Sequence, residues 1–185
     1  MAGRLDRCPA DWSKVASSGG LSREGSVTTK RGRKIAEIDH EVLATLRRVS
    51  RLLEAADDPW WIIGSAAVAL HGGDPGKIAD IDVITSRRDL DWLYEKLSLT
   101  DTPEAGKPMF LSERFGRWSE SNLDVEFMTG LEVRVDGVWH RVEPQTQQAI
   151  QIGKAHVFVP EREELIAMLQ MFGRDKDLRR AATLM

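Results

Sequence analysis

The chain has 185 residues, 42% of them hydrophobic and 30% charged, with a formal net charge of −3. Those proportions describe one globular domain with enough apolar material for a core, and the slightly acidic balance excludes nucleic-acid binding through overall positive charge. The single Cys8 cannot form an internal disulfide, no apolar run approaches the ~20 residues of a membrane span, and the N-terminus lacks the apolar stretch of a secretion signal, so the expected location is cytoplasmic.

Residues 1–34 are rich in Ser, Gly, Arg and Lys without periodicity and read as a flexible leader with a basic group at 30–34. From 35 to 56, Ile38, Val42, Leu46, Val49 and Leu53 recur at three- and four-residue steps, the spacing of a helix with one buried face, and Asp39 stands near its start. Residues 60–63 form an apolar strand, 65–70 a short helix of small residues, and 71–76 a loop rich in glycine. His71 closes that helix, where it complements the dipole. A second strand, 80–84, places Asp80 and Asp82 on one face and Ile81 and Val83 on the other. A helix over 87–97 turns Leu90, Leu93, Tyr94 and Leu97 inward and leaves Asp89 and Asp91 solvated.

A polar connection at 98–107 leads to short strands near 109–111 and 115–118. In 121–128, Leu123, Val125 and Phe127 alternate with Asp124 and Glu126, the pattern of a strand with one acidic face. Segments 131–135 and 138–142, joined by Asp136-Gly137, are a hairpin, with Trp139 and His140 in packing and surface roles. An amphipathic segment at 145–152 and a strand at 156–159 precede a helix over 160–172 that starts at a proline. The sequence Gly173-Arg174-Asp175-Lys176-Asp177-Leu178 then opens a last helix ending at Leu184.

Two carboxylates a pleat apart on one strand face repel each other as a structural pair, but they suit a hard divalent cation that takes oxygen ligands and shares them with phosphates. Gly64-Ser65, between strand and helix, supplies a close backbone approach and free N–H groups for phosphate, with Ser65 as the expected helix cap.

Taken in order, the strand at 60–63, Gly64-Ser65, the short helix and Asp80-Ile81-Asp82 resemble the signature of the DNA polymerase β-like nucleotidyltransferase superfamily. The ending at 173–177 is similar to that of small bacterial nucleotidyltransferase-like proteins, including the abortive-infection type IV toxin group. The resemblance implies an α+β fold, a mixed sheet with helices mainly on one face and a short C-terminal helical pair. It divides the chain into the leader at 1–34, a nucleotidyltransferase-like domain at 35–159 and a helical segment at 160–185 packed on it.

It further implies an Mg²⁺-dependent (or Mn²⁺-dependent) enzyme that transfers a nucleoside monophosphate from a nucleoside triphosphate to an acceptor hydroxyl on tRNA, a protein or a small molecule. In that reading Asp80 and Asp82 hold two Mg²⁺ ions. Glu126, preferred, or Asp124 is the third carboxylate, completing the ion on the acceptor side and helping to deprotonate the nucleophile. Gly64, Ser65, Lys77, Arg174 and Lys176 contact the nucleotide, and a protein partner of antitoxin type is implied with the toxin group. Two positions depart from the pattern. Gly76 and Ile78 stand where many members carry Arg and Thr, with Lys77 between them, and Leu169 or Gln170 replaces a helix lysine. These departures favour the alternative, a catalytically degenerate relative that binds a nucleotide or a partner in a regulatory role.

Overall fold

The computed structural model describes residues 38–101 and 109–185. The leader with Cys8 and most of the polar connection, at 102–108, lie outside these residues. Helix α1 (His40–Leu53) starts at Asp39, whose carboxylate accepts the Glu41 N–H at 2.7 Å, and its apolar stripe of Val42, Leu46, Val49 and Leu53 is buried. Strand β1 is only Trp61–Ile62, because Ile63, still extended, already serves as the N-cap of α2 (Gly64–Leu70). Strand β2 (Asp80–Ile84) and α3 (Arg87–Lys96) follow.

Beyond α3 come β3 (Phe110–Leu111), β4 (Arg114–Trp118) and β5 (Asp124–Thr129). The hairpin of β6 (Glu132–Val135) and β7 (Val138–Arg141) turns through Asp136 and Gly137, both at positive φ, as a tight two-residue connection requires. The segment at 145–152 contains strand β8 (Gln148–Ile152), which pairs antiparallel with β9 (Ala155–Val159); Ile150 and Ile152 alternate inward at the period of a strand. Helices α4 (Arg162–Phe172) and α5 (Asp175–Leu184) close the chain, separated by Gly173 in the left-handed conformation.

The fold is α+β. Its main sheet has the order β1-β2-β5-β4, with β2 and β5 parallel and the outer pairs antiparallel; β3-β6-β7 and β8-β9 form two smaller sheets. Ile81 and Val83 of β2 and Val125 and Phe127 of β5 are fully buried, so one face of the central ladder is core. Helix α1 packs on β2, β8 and β9, α2 on β2, and α3 on β4 and β5, while α4 and α5 pack on each other and on α2. Among the described residues, no helix is long and apolar enough to cross a membrane.

Two polar residues hold connections together. Asp89, expected in solvent, is buried at 3% exposure. Its carboxylate accepts the backbone N–H groups of Asp57 and Asp58 and the Ser86 hydroxyl, each at 3.0 Å. A first-turn aspartate on a helix is ordinarily solvated; here the loop after α1 folds back over the α3 N-terminus and uses it. Asp89→Ala is expected to lower stability by about 2–3 kcal/mol, since bonds to a charged acceptor contribute about 1.5–3 kcal/mol each and part of the loss is recovered from water. Urea unfolding of the two proteins checks this.

His71 caps the C-terminus of α2 and is buried; its Nε2 donates to the Pro160 carbonyl at 2.8 Å, and its own carbonyl accepts from Arg162 at 2.8 Å. Burial lowers its pKa below the ordinary value of 6.5, against the opposing pull of the Pro160 carbonyl and with help from the Arg162 charge. The unfolded chain therefore binds the proton more readily. This contribution to stability is complete above about pH 6.5 and is lost as the pH falls toward the folded value. His71→Gln is expected to flatten that part of the stability profile, measured as urea midpoints between about pH 7.5 and about pH 5.5.

Candidate functional site

A cavity of about 490 Å³ opens along the acidic face of β2 and is lined by Asp80, Asp82 and Glu126 on one side. Its size suits a small ligand. The carboxylates are placed by sheet register. In the parallel ladder Asp82 lies opposite Glu126 and Asp80 opposite Asp124, so both acids of β2 have an acidic neighbour on β5. The cavity reaches Glu126; Asp124, one pleat earlier at the first position of β5, is not among its lining residues.

Glu126 is 4% exposed and ion-paired with Arg117, whose NH2 lies 2.6 Å from Oε1. Arg117 stands directly opposite Glu126 in the β4–β5 ladder. One row across three strands thus reads Asp82, Glu126, Arg117. Among the described residues, no group of three or more His, Cys, Asp or Glu side chains is arranged to hold a metal ion. The donor set nonetheless fits a divalent cation in part: Asp80 and Asp82 are half-buried carboxylates on one strand face at the cavity, and a ligand's phosphate oxygens or water would complete the shell. Glu126 is engaged elsewhere.

Gly64 is required at its position twice over. Its φ is +63°, and a Cβ there would stand 2.5 Å from Asp82 Oδ2. The strand-to-helix turn is therefore pressed against the carboxylate, and Gly64 and Ser65 both line the cavity. Ser65 does not cap the helix. The N-cap is Ile63, without a side-chain bond, and Ser65 sits buried in the first turn.

Basic side chains border the same cavity: Lys77 from the loop before β2, Arg174 before α5, and Lys176 and Arg180 on α5. Asp177, with no exposed surface, organises two of them. Its carboxylate meets Arg174 Nε at 2.5 Å and NH2 at 3.1 Å, and Arg180 NH1 at 3.6 Å. Arg180 also donates to the carbonyls of Pro75 at 2.8 Å and Lys77 at 3.4 Å, tying α5 to the loop that precedes Asp80. The remaining wall is apolar. Phe110 and Phe172 meet edge to face at 5.2 Å, the Arg174 guanidinium lies 4.7 Å from the centre of the Phe110 ring, and Phe115, Met128 and Leu131 continue the surface.

The structure thus brings together Asp80, Asp82, Glu126, Gly64, Ser65, Lys77, Arg174 and Lys176, and leaves Asp124 and His71 outside the cavity lining. Leu169 is fully buried in the core and Gln170 is exposed, so no lysine contact arises from that turn of α4. Sequence reasoning missed Arg180, Arg117 and the aromatic wall. Arg180 carried a signal: it lies three residues after Asp177 and four after Lys176, on the same helix face. Arg117 carried none, because only strand pairing sets it against Glu126.

No protein-family model and no curated protein matches the sequence. Solved structures do. A nucleotidyltransferase candidate from Thermotoga maritima superimposes with a TM-score of 0.55 at 21% identity, covering 70% of this chain and 84% of that one. The antibiotic-resistance factor ANT(2'')-Ia, in its solution structure, gives 0.53 at 14% identity, covering 80% of this chain and 84% of that one. At such identities the likeness establishes the fold, which is of nucleotidyltransferase type.

The two loop glycines make a controlled comparison. Gly76 also has positive φ, at +62°, but a Cβ there meets nothing within 4 Å. Gly76→Ala is expected to cost about 1 kcal/mol, the penalty of the left-handed conformation alone, and Gly64→Ala about 1–2 kcal/mol more, because the Asp82 carboxylate must also move. Thermal unfolding of both variants decides; equal losses would refute the close approach.

Proposed function

We propose that this cavity is the active site of a metal-dependent nucleotidyltransferase, which moves a nucleoside monophosphate from a nucleoside triphosphate to an acceptor hydroxyl. One observation carries the reading: carboxylates Asp80 and Asp82 and the basic groups Lys77, Arg174, Lys176 and Arg180 line a single cavity. A purely anionic ligand would be repelled by the first set and a purely cationic one by the second. A triphosphate with a divalent ion satisfies both.

In this reading Asp80 and Asp82 hold Mg²⁺ or Mn²⁺. When bound, the ion neutralises phosphate charge and polarises the reacting phosphorus centre. The Gly64-Ser65 turn lies against the triphosphate, and the basic side chains bind its outer phosphates, with Arg174 and Arg180 fixed in place through Asp177. The acceptor oxygen forms the new bond to the α-phosphorus as the bond to pyrophosphate breaks. The hydroxyl proton passes to water, and Glu126, beside Asp82, orients the hydroxyl by accepting its hydrogen bond. The aromatic wall of Phe110, Phe115 and Phe172 favours a small-molecule acceptor, or a nucleobase, lying on an apolar surface. A tRNA acceptor, an antitoxin-type partner and the toxin group itself rest on the sequence resemblance alone.

The pairing of Glu126 with Arg117 favours a second reading, a relative that binds nucleotide without turning it over. Calorimetric titration with the four ribonucleoside triphosphates, with and without Mg²⁺, tests the common premise. The wild type is expected to bind at least one of them in a metal-dependent way, and Asp80→Asn/Asp82→Asn is expected to weaken binding at least about tenfold, the equivalent of about 1.4 kcal/mol. Binding that ignores both metal and mutation would sink the proposal. Pyrophosphate release in the presence of acceptors then separates the enzyme from the non-catalytic relative.

A further inference from the structure

We propose that the apolar end of the cavity is the acceptor subsite, and that the acceptor is a ring-bearing hydroxy compound without positive charge. The inference rests on the nucleotidyltransferase reading and names the class of acceptor that its site takes.

The cavity changes character along the strands. Glu126 and Met128 of β5 both line it, and their partners on β4 are Arg117 and Phe115. The acidic row of Asp82 and Glu126 is thus followed, two residues or roughly 7 Å further on, by a row of Met128 and Phe115. Leu131 extends that surface past the end of β5, and Phe110, Leu111 and Phe172 complete the wall. Cations mark the opposite end. Arg180 bonds the carbonyls of Pro75 and Lys77, so it and Lys77 line the cavity beside the start of β2.

That polarity orders the reactants. The outer phosphates are drawn to Lys77 and Arg180, and the acceptor hydroxyl is oriented by Glu126. The group that carries the hydroxyl then lies on the next row, which is apolar and aromatic. A flat ring placed there gains buried area and ring-to-ring contact together. Leu111 agrees with this: it lines the cavity yet is 52% exposed, apolar surface for a ligand to cover.

Charge sets the second half of the inference. The apolar wall carries a cation of its own, the Arg174 guanidinium, which lies 4.7 Å from the centre of the Phe110 ring and is held by the buried Asp177. Glu126, the acid bordering the wall, is ion-paired with Arg117. An ammonium group on the acceptor would be repelled by Arg174 and would compete with Arg117 for Glu126. A neutral ring meets neither obstacle.

The test uses naphthalenemethanol and its matched cation, naphthylmethylammonium. Binding to the full chain with Mg²⁺ is titrated by saturation-transfer NMR, with and without a non-hydrolysable nucleoside triphosphate analogue. The alcohol is expected to bind with a dissociation constant that changes by less than about threefold when the analogue is saturating, and the cation at least about tenfold more weakly. Phe115→Ala is expected to weaken the alcohol at least about fivefold. Leu111→Glu, at an exposed position, is expected to narrow the gap between alcohol and cation to less than about threefold, and it carries the test if Phe115→Ala fails to fold.

Displacement of the alcohol by the analogue would give the wall to the nucleobase and overturn the proposal. Equal binding of alcohol and cation would do the same, as would wild-type behaviour in folded Phe115→Ala or in Leu111→Glu. If the analogue binds and the alcohol does not, the acceptor subsite fails and the nucleotidyltransferase reading stands. If the analogue does not bind at all, that reading fails and the acceptor assignment falls with it.

Discussion

In the parallel ladder between β2 and β5, Asp82 lies opposite Glu126 and Val83 opposite Phe127. Both the core and the site depend on that register. Because side chains alternate with a period of two, a slip of one residue would turn Asp82 toward the helices and Val83 toward the cavity, costing buried apolar surface and burying unpaired carboxylates. The apolar face pins the pairing; Ile81, Val83, Val125 and Phe127 have no exposed surface. Hydrophobic burial thus holds like charges side by side on the opposite face, an arrangement those charges would not adopt for their own sake.

The cost of gathering acids is offset by where the cations come from. Arg117 reaches Glu126 from β4, while Arg174, Lys176 and Arg180 arrive at the cavity from the far end of the chain. Asp177 connects the two halves of this arrangement. As a fully buried carboxylate it is tolerable only with partners, and its partners are two of the arginines that line the cavity. The same residue therefore neutralises itself and orients the basic wall, and Arg180 carries the connection on to the carbonyls of Pro75 and Lys77. An ion-paired helix junction and the basic wall of the cavity are one structure here.

Much of this was legible in the sequence because it is local. Alternation exposed the acid faces of β2 and β5, the Asp136-Gly137 turn fixed the hairpin, and Gly64 stood out as the residue between an apolar strand and a small-residue helix. What local pattern could not show was partnership between distant segments. Asp89 was read as solvated because its position in the first turn of α3 says nothing about a loop returning over it. Ser65 was assigned as a cap from its residue type, whereas the cap lies two residues earlier, at Ile63. The choice between Asp124 and Glu126 depended on how far the cavity extends along β5, which periodicity cannot measure.

The departures from the family pattern acquire a physical account at this level. Where many members of the resembling superfamily carry Arg and Thr, this chain has Gly76 and Ile78, and where they carry a helix lysine it has Leu169 or Gln170. A lysine at Leu169 would replace one of the best-buried core side chains, so that position cannot supply charge without cost to packing. Positive charge at the cavity instead comes from Arg180, which is anchored to the very loop that lacks the arginine. A field at a site is set by the positions of charges in space, and different positions in the chain can supply it. Loss of a motif residue is therefore weak grounds for loss of function when another guanidinium reaches the same cavity. The pairing of Glu126 with Arg117 is a different kind of feature, since it engages one oxygen of the Glu126 carboxylate and brings a further cation into the row beside Asp82.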